Sequence, residues 1–245
     1  PKDTNVRDGL EVFRKEHCDI IVTVGGGSPH DCGKGIGIAA THEGDLYSYA
    51  GIETLTNPLP PIVAVNTTAG TASEVTRHCV LTNTKTKVKF VIVSWRNLPS
   101  VSINDPLLML GKPAPLTAAT GMDALTHAIE GYITPGAWSL SDCLSMQTIR
   151  MIAKNLAKSA DGDIPAGEQM AYASYITGMA YSCVGLGLVH GMAHPLGGRL
   201  GVAHGVANGI LLAPVMEYNK DYTGEKYRDI ADAFGIADAY TGDIE

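Results

Sequence analysis

The sequence lacks the features of several protein classes. Its 245 residues contain no cluster of lysine and arginine, and the net charge is −7, which argues against nucleic acid as a partner. No apolar stretch is long and uncharged enough to cross a bilayer, and no secretory signal pattern precedes the first apolar runs. The five cysteines are scattered without a C-x-x-C pair, as expected in a reducing compartment. These absences predict a soluble, cytoplasmic protein without a nucleic-acid or membrane partner.

Apolar sequence and glycine are plentiful. Hydrophobic residues make up 45% of the chain and charged residues 18%, and there are 28 glycines. This composition is typical of a folded protein rather than a disordered one, and the length suits one large or two small domains. The sequence begins at Pro1 without methionine, directly in helix-like sequence, so we expect it to be a piece of a longer polypeptide.

The pattern of apolar residues changes near residue 113. Before it, short apolar runs predict strands at residues 20–24, 61–65, 88–93 and 101–103, each buried on both faces by crossover helices. A helix predicted at residues 28–40 joins two of these strands as a βαβ unit. After it, helices are predicted at residues 116–132, 140–158, 168–181, 205–218 and 224–234, the last capped by Thr223. The fold class is therefore an α/β domain (1–113) followed by an all-helical domain (114–245), with a cleft between them.

A glycine loop follows the first predicted strand. Gly25, Gly26 and Gly27 let backbone amides approach a bulky anion, Ser28 is placed to cap the next helix, and Asp31 completes a pattern like a capping box. The free amides and positive end of a helix form a phosphate site. The loop is neither G-x-G-x-x-G nor a P-loop, and a glycine-rich turn without a ligand stays open as the alternative.

A second loop, rich in threonine, follows the strand that ends at Val65. Thr67, Thr68 and Thr71 surround Gly70, so that hydroxyls can bond a ribose, an amide or a phosphate without filling the space. Alone, this would be an ordinary Ser/Thr loop. Two such loops at the carboxyl ends of neighbouring strands predict a nucleotide, because open α/β sheets bind ligands there.

A carboxylate and four imidazoles lie in apolar surroundings in the second half. Asp123 and His127 are four residues apart, as are His190 and His194, and His204 precedes a predicted helix. Residues four apart share one helix face, and buried polar groups need partners. Such a set suits Fe²⁺ or Zn²⁺ rather than Mg²⁺ or Ca²⁺.

Four motifs together resemble the iron-containing (group III) alcohol dehydrogenases. They lie at residues 25–31, 67–71, 121–127 and 190–194. The resemblance implies a truncated Rossmann-like nucleotide-binding domain and a helical metal-binding domain that together oxidise an alcohol with NAD. Up to about residue 132 the chain resembles members that act on 1,3-propanediol, and later residues resemble members that act on 1,2-propanediol.

The resemblance also implies a role for each residue of these motifs. Asp123, His127, His190 and His204 match the ligands of an Fe²⁺ ion, with Zn²⁺ as the other candidate, and His194 matches a residue beside substrate and nicotinamide. In this family Pro usually precedes the last histidine ligand, whereas Ala203 stands here, so we expect a less rigid ligand. The expected NAD-binding residues are Gly25, Gly26, Gly27, Ser28, Asp31, Thr67, Thr68, Thr71 and Lys89.

The implied mechanism uses the metal as a Lewis acid on the substrate oxygen and His194 as a proton relay, because imidazole titrates near neutral pH. The full-length protein is expected to be a homo-oligomer. Two alternatives stay open. One is a metal- and NAD-dependent lyase resembling dehydroquinate synthase, which needs several basic residues for a phosphorylated substrate. The other is a truncated remnant without activity.

Overall fold

The computed structural model describes residues 1–236. Its strands all lie before residue 104, and from Ala114 onward the described chain is helical. The strands are β1 (Ile21–Gly25), β2 (Gly51–Ile52), β3 (Ile62–Asn66), β4 (His78–Asn83), β5 (Val88–Val93) and β6 (Val101–Ile103). The helices are α1 (Asp3–Lys15), α2 (Gly27–Thr41), α3 (Ala114–Ile133), α4 (Ser139–Ala160), α5 (Ile164–Val184), α6 (Leu188–Leu200), α7 (His204–Asn219) and α8 (Lys226–Phe234). The α/β and helical parts are as predicted. The division between the two domains at residue 113 stays a prediction. The predicted end of the helical domain, residue 245, lies outside the described residues.

The first sheet is parallel and has the order β1-β3-β6. Helix α2 follows β1 and packs against it, so the predicted βαβ unit is confirmed. The prediction that these strands are buried on both faces is wrong for β1. Val22 and Val24 are 61% and 63% exposed, whereas Ile21 and Thr23 are buried, because α2 covers one face of the strand and the other faces solvent.

The second sheet is mixed. β5 pairs antiparallel with β4 and parallel with β2, so residues 88–93 form a strand as predicted but not one of the parallel sheet. β4 was not among the predicted strands, since its His, Thr and Asn residues interrupt the apolar pattern. The β4–β5 turn is set locally, because the Asn83 Oδ1 accepts hydrogen bonds from the backbone N–H groups of Lys85 and Thr86 at 3.0 and 3.2 Å.

The five predicted helices of the second half are present, with ends that differ by at most four residues. The predicted cap Thr223 is wrong. Helix α8 begins at Lys226 with Glu225 at the N-cap, and the Thr223 hydroxyl donates to the carbonyl of Lys220 instead.

Helix α6 was not predicted, because three glycines and Pro195 lie within its thirteen residues. Tertiary packing overrides this weak propensity. A Cβ at Gly198 would lie 3.0 Å from the carbonyl oxygen of Lys87, so a glycine there lets α6 lie directly against the start of β5 in the second sheet.

Two apolar clusters hold the chain together. One lies mainly among α3, α4, α5, α7 and α8 and includes Ile129, Ile149 and Ile152. The other lies between α1, α2 and the second sheet and includes Ile38 and Leu81. Within residues 1–236 no single helix has the length and composition of a membrane span. Helices α5 and α6 meet those criteria only when joined across their 103° bend.

Candidate metal centre and nucleotide cleft

The glycine loop turns the chain from β1 into α2. Gly25 has φ +142, which side chains rarely permit, and α2 begins at Gly27 with Gly26 at the N-cap. The prediction that Ser28 caps this helix is wrong, because Ser28 lies inside its first turn and no side chain caps it. The first turn of α2 therefore has no side-chain cap, an arrangement that also occurs where helices bind phosphate.

The threonine loop packs directly on the glycine loop. The Thr67 backbone N–H donates to the Gly25 carbonyl at 2.9 Å, which ties the ends of β1 and β3 together. A Cβ at Gly26 would lie 2.8 Å from the side chain of Thr68, and one at Gly27 would lie 2.8 Å from that of Thr71. The two loops thus meet at one edge of the sheet, as predicted, and only glycine fits at their contact.

Asp31 does not complete a capping box. Its buried carboxylate accepts hydrogen bonds from the Ser73 hydroxyl at 2.6 Å and the Val80 N–H at 3.2 Å, and burial raises its pKa. Asp31 therefore links α2 to the threonine loop and β4, while it also lines the cleft.

Lys34 is fully buried one turn further along α2. Burial lowers the pKa of its ammonium, and Asp31, 3.9 Å away, opposes that effect. The ammonium donates to three main-chain carbonyls, those of Ser73 (2.7 Å), Thr76 (2.9 Å) and His78 (2.7 Å). Lys34 thereby holds the chain that leads from the threonine loop into β4.

Asp123 lies at the centre of the predicted ligand set. Its Oδ1 atom is 3.7 Å from His127 Nδ1, 3.6 Å from His190 Nε2 and 3.5 Å from His204 Nε2. These distances exceed hydrogen-bond range. Ligand atoms about 2.1 Å from a tetrahedral metal ion are themselves separated by about 3.4 Å. The donor set therefore fits a divalent cation.

The imidazoles support this fit. The atoms of Asp123, His190 and His204 all lie within 4.8 Å of one another, and the ring of His127 stacks on that of His190 at 4.3 Å. His127 Nδ1 is buried without a hydrogen-bond partner, so the atom that faces Asp123 is free to bind an ion. The His204 side chain is 26% exposed, against 4–5% for the other three side chains. Ala203 before it has φ −58, a value that proline also adopts.

Three residues of this centre were missed from the sequence. Glu130 contacts His190, Asn208 donates to Asp123 Oδ1 at 2.7 Å, and Tyr181 stacks on His127 at 4.3 Å. Spacing offered a signal for two of them, since Glu130 follows His127 by three residues and Asn208 follows His204 by four. Tyr181 lies on α5 and has no such signal.

Burial and neighbouring charges shift the pKa values of the histidines in opposite directions. For Asp123, burial alone would raise the pKa, but His127, His190 and His204 lower it. Burial opposes the charged form of His190 as well, yet the neighbouring carboxylates of Asp123 and Glu130 raise its pKa. By contrast, burial and the neighbouring His204 lower the pKa of His194 to about 3. These effects favour the neutral form of His194 at pH 7, so the prediction that it titrates near neutral pH is wrong.

One cavity of about 480 Å³ joins the two loops to the histidines. Of the predicted site residues, Gly25 and Thr67 do not line it and instead close the strand ends. Those that line it are Gly26, Gly27, Ser28, Asp31, Thr68, Thr71, Lys89, Asp123, His127, His190, His194 and His204. The glycine loop, the threonine loop and the candidate metal ligands thus share one cleft.

Comparison with known proteins agrees with this arrangement. Residues 117–243 match the Fe-containing alcohol dehydrogenase family, C-terminal, and residues 1–106 match Iron-containing alcohol dehydrogenase. The chain belongs to the iron-containing alcohol dehydrogenase family. It is 75% identical over 237 residues to 1,3-propanediol dehydrogenase of Citrobacter freundii, covering 96% of this chain and 61% of that protein.

Two further members of the family show how far the likeness extends. Lactaldehyde reductase of Escherichia coli (strain K12) is 51% identical over 238 residues, covering 96% of this chain and 62% of that protein. A crystal structure of 1,3-propanediol oxidoreductase superposes with a TM-score of 0.93 at 72% identity, covering 96% of this chain and 62% of that one. The chain therefore spans about three fifths of the length of these iron-containing alcohol dehydrogenases.

Proposed function

We propose that this chain forms the NAD- and metal-binding part of an alcohol dehydrogenase. It would oxidise a short-chain alcohol or diol to the aldehyde and reduce the aldehyde in the reverse direction. The observation that carries the proposal is the shared cavity, in which the glycine and threonine loops face Asp123 and its imidazoles. Because the first relative named above is a 1,3-propanediol dehydrogenase, 1,3-propanediol and 3-hydroxypropanal are the substrates to test first.

The chain's own residues would hold the two cofactors at opposite ends of this cavity. The metal ion, Fe²⁺ or Zn²⁺, would be held by Asp123, His127, His190 and His204. Both ions accept a donor set of this kind. The first-turn amides of α2, with Thr68 and Thr71 beside them, would hold the NAD phosphates. When bound, the metal supplies Lewis acidity that lowers the pKa of a substrate hydroxyl, and nicotinamide supplies the hydride acceptor.

His194 is proposed to move the hydroxyl proton. It lines the cavity, with its ring centroid 6.1 Å from that of His190 and 5.4 Å from that of His204. Because its pKa is lowered to about 3, a ring nitrogen is unprotonated and can accept the proton at neutral pH.

The lyase alternative receives less support from the cleft. A phosphorylated substrate would require several cationic side chains, because phosphate groups are bound by Arg and Lys. Among the described residues that line the cavity, Lys89 is the only lysine or arginine. Release of NADH in proportion to the diol consumed separates the two reactions, since a lyase of that kind recycles its NAD within one turnover.

The test is oxidation of 1,3-propanediol with NAD after anaerobic loading with Fe²⁺, followed by the absorbance of NADH. Activity that a chelator abolishes would support the proposal. If the chain bound one equivalent of metal but formed no NADH, the result would contradict the proposed activity of this chain. Absence of bound metal would contradict the ligand assignment.

His194→Ala tests the proton relay separately. We expect turnover to fall by about 10²–10⁴-fold, the usual contribution of a general acid–base group, while metal content stays the same. Loss of metal from this variant would make His194 a ligand and overturn its proposed role. Homo-oligomerisation of the full-length protein and a cytoplasmic location complete the proposal.

A further inference from the structure

A second buried carboxylate lies beside the proposed metal ligands. Glu130 is 2% exposed and follows His127 by three residues on α3. Both of its oxygens are used. Oε2 lies 2.5 Å from His190 Nδ1, and Oε1 accepts a hydrogen bond from the Val189 N–H at 2.7 Å.

We propose that Glu130 is a positioning residue for the metal centre. It holds His190 with the ring proton on Nδ1 and with the Nε2 lone pair directed at the site. The inference rests on the proposed function, because it assigns His190 as a ligand. The hydrogen-bond partners fix this tautomer, since an ionised carboxylate only accepts hydrogen bonds. His190 Nε2 is then left facing Asp123 at 3.6 Å. A carboxylate behind a ligating histidine is a recurrent means of orienting the ring and raising its basicity.

Gly187 provides an independent argument. A Cβ at this position would lie 2.8 Å from Glu130 Oε1 and 3.2 Å from Glu130 Cδ. The backbone of Gly187 has φ −123, which any residue adopts. Glycine is therefore needed here for the space that the carboxylate occupies and not for its conformation.

Glu130 also reaches the first turn of α6, which begins at Leu188. The Val189 N–H is one of the amides without a partner inside the helix, and a negative charge is favourable there. This contact alone would give Glu130 a structural role. The test must therefore separate an effect on metal affinity from an effect on folding.

The main variant is Glu130→Gln, with Glu217→Gln as the control, because Glu217 is 72% exposed. A glutamine has one acceptor oxygen for two N–H donors, and its amide nitrogen cannot accept the His190 proton. We expect the affinity for Co²⁺, measured by calorimetric titration, to fall about 10–100-fold. We also expect an altered visible Co²⁺ spectrum, because the ring of His190 is no longer held. Glu217→Gln should change neither.

A second pair of variants keeps Glu130 itself unchanged. Gly187→Ala, at the N-cap of α6, should displace the Glu130 carboxylate and weaken Co²⁺ binding. Gly191→Ala inside α6 should not, since a Cβ at Gly191 meets nothing within 4 Å. This pair decides the question if Glu130→Gln fails to fold, as judged by circular dichroism.

Each outcome has a definite meaning. Lowered Co²⁺ affinity in Glu130→Gln and in Gly187→Ala, with normal binding in both controls, supports the inference. A lowered melting temperature with unchanged Co²⁺ affinity and spectrum makes Glu130 a structural cap and overturns it, while the proposed function stands. Failure of the unsubstituted chain to bind Co²⁺ overturns both.

Discussion

The two ends of the cleft are lined by different chemical groups. At the nucleotide end, Gly26 and Gly27 expose main-chain amides, and neighbouring threonines contribute small hydroxyl side chains. At the metal end, ionisable side chains converge on Asp123. Where main-chain amides form the site, ligand binding depends on the space around them, so it should be sensitive to substitutions that add volume. An end built from charge depends on the identity of each side chain, so it is sensitive even to substitutions that keep the volume.

The largest effect should follow loss of the central charge. Asp123→Asn keeps the volume and the Asn208 contact but removes the carboxylate that faces three imidazoles. We expect metal affinity to fall by more than the roughly 10–100-fold typical of residues behind a ligand, with NADH affinity retained. Calorimetry with Co²⁺ and with NADH measures both, and Asp161→Asn at an exposed position is the control. An equal loss of both affinities would show that the two ends do not act separately.

The next effect concerns the buried ammonium of Lys34, beneath the threonine loop. In Lys34→Met three carbonyl oxygens lose their donor, and the buried Asp31 loses its positive neighbour. We expect the free energy of unfolding to fall by about 3–5 kcal/mol, as for other broken buried ion pairs. Urea unfolding measures this loss, and Lys85→Met, in the exposed β4–β5 turn, should leave stability nearly unchanged. A loss as small as the control's would mean that the carbonyls find other partners.

A methyl group at the nucleotide end should act through volume alone. In Gly26→Ala the new Cβ would lie 2.8 Å from the Thr68 side chain, so the threonine loop must shift. We expect NADH affinity to fall about tenfold, or about 1.4 kcal/mol, with Co²⁺ affinity unchanged. Gly111→Ala, where a Cβ meets nothing within 4 Å, should bind NADH normally. Unchanged NADH affinity in Gly26→Ala would contradict the idea that shape governs this end.

The same division explains what the sequence could predict. The ligand pair Asp123 and His127 was found because residues four apart share a helix face, whatever the tertiary fold. The glycine and threonine loops were found because each follows an apolar strand directly. By contrast, Glu130 and its partner His190 are 60 residues apart in the sequence, and Asn208 and Asp123 are 85 apart. No local pattern marks such pairs.

The errors have the same origin. Ser28 and Asp31 fit a capping pattern locally, but Asp31 is occupied by Ser73 and β4. Helix α6 is disfavoured by its own glycines and proline, yet Gly198 allows its close contact with the second sheet, and Gly187 at its N-cap allows the contact with Glu130. Which face of β1 is exposed depends on the elements that pack on the strand and not on the strand's own residues. An apolar run therefore cannot predict whether both faces are buried.

The smallest effect should come from the residue that joins the two ends. The Tyr181 hydroxyl donates to the Thr71 carbonyl at 2.6 Å, and its ring stacks on His127 at 4.3 Å. Tyr181→Phe removes the hydrogen bond but keeps the stacked ring. We expect NADH affinity to fall about fivefold, because a hydrogen bond contributes about 1 kcal/mol, while Co²⁺ affinity stays the same.

Tyr172→Phe on the same helix is the matched control, since its hydroxyl bonds Glu168 in an exposed position. Tyr181→Leu extends the test, because it removes both contacts and should weaken Co²⁺ and NADH binding together. If Tyr181→Phe weakened Co²⁺ binding as much as NADH binding, the hydroxyl would serve both ends. The contrast between a backbone-built end and a charge-built end would then fail at a side chain that touches both.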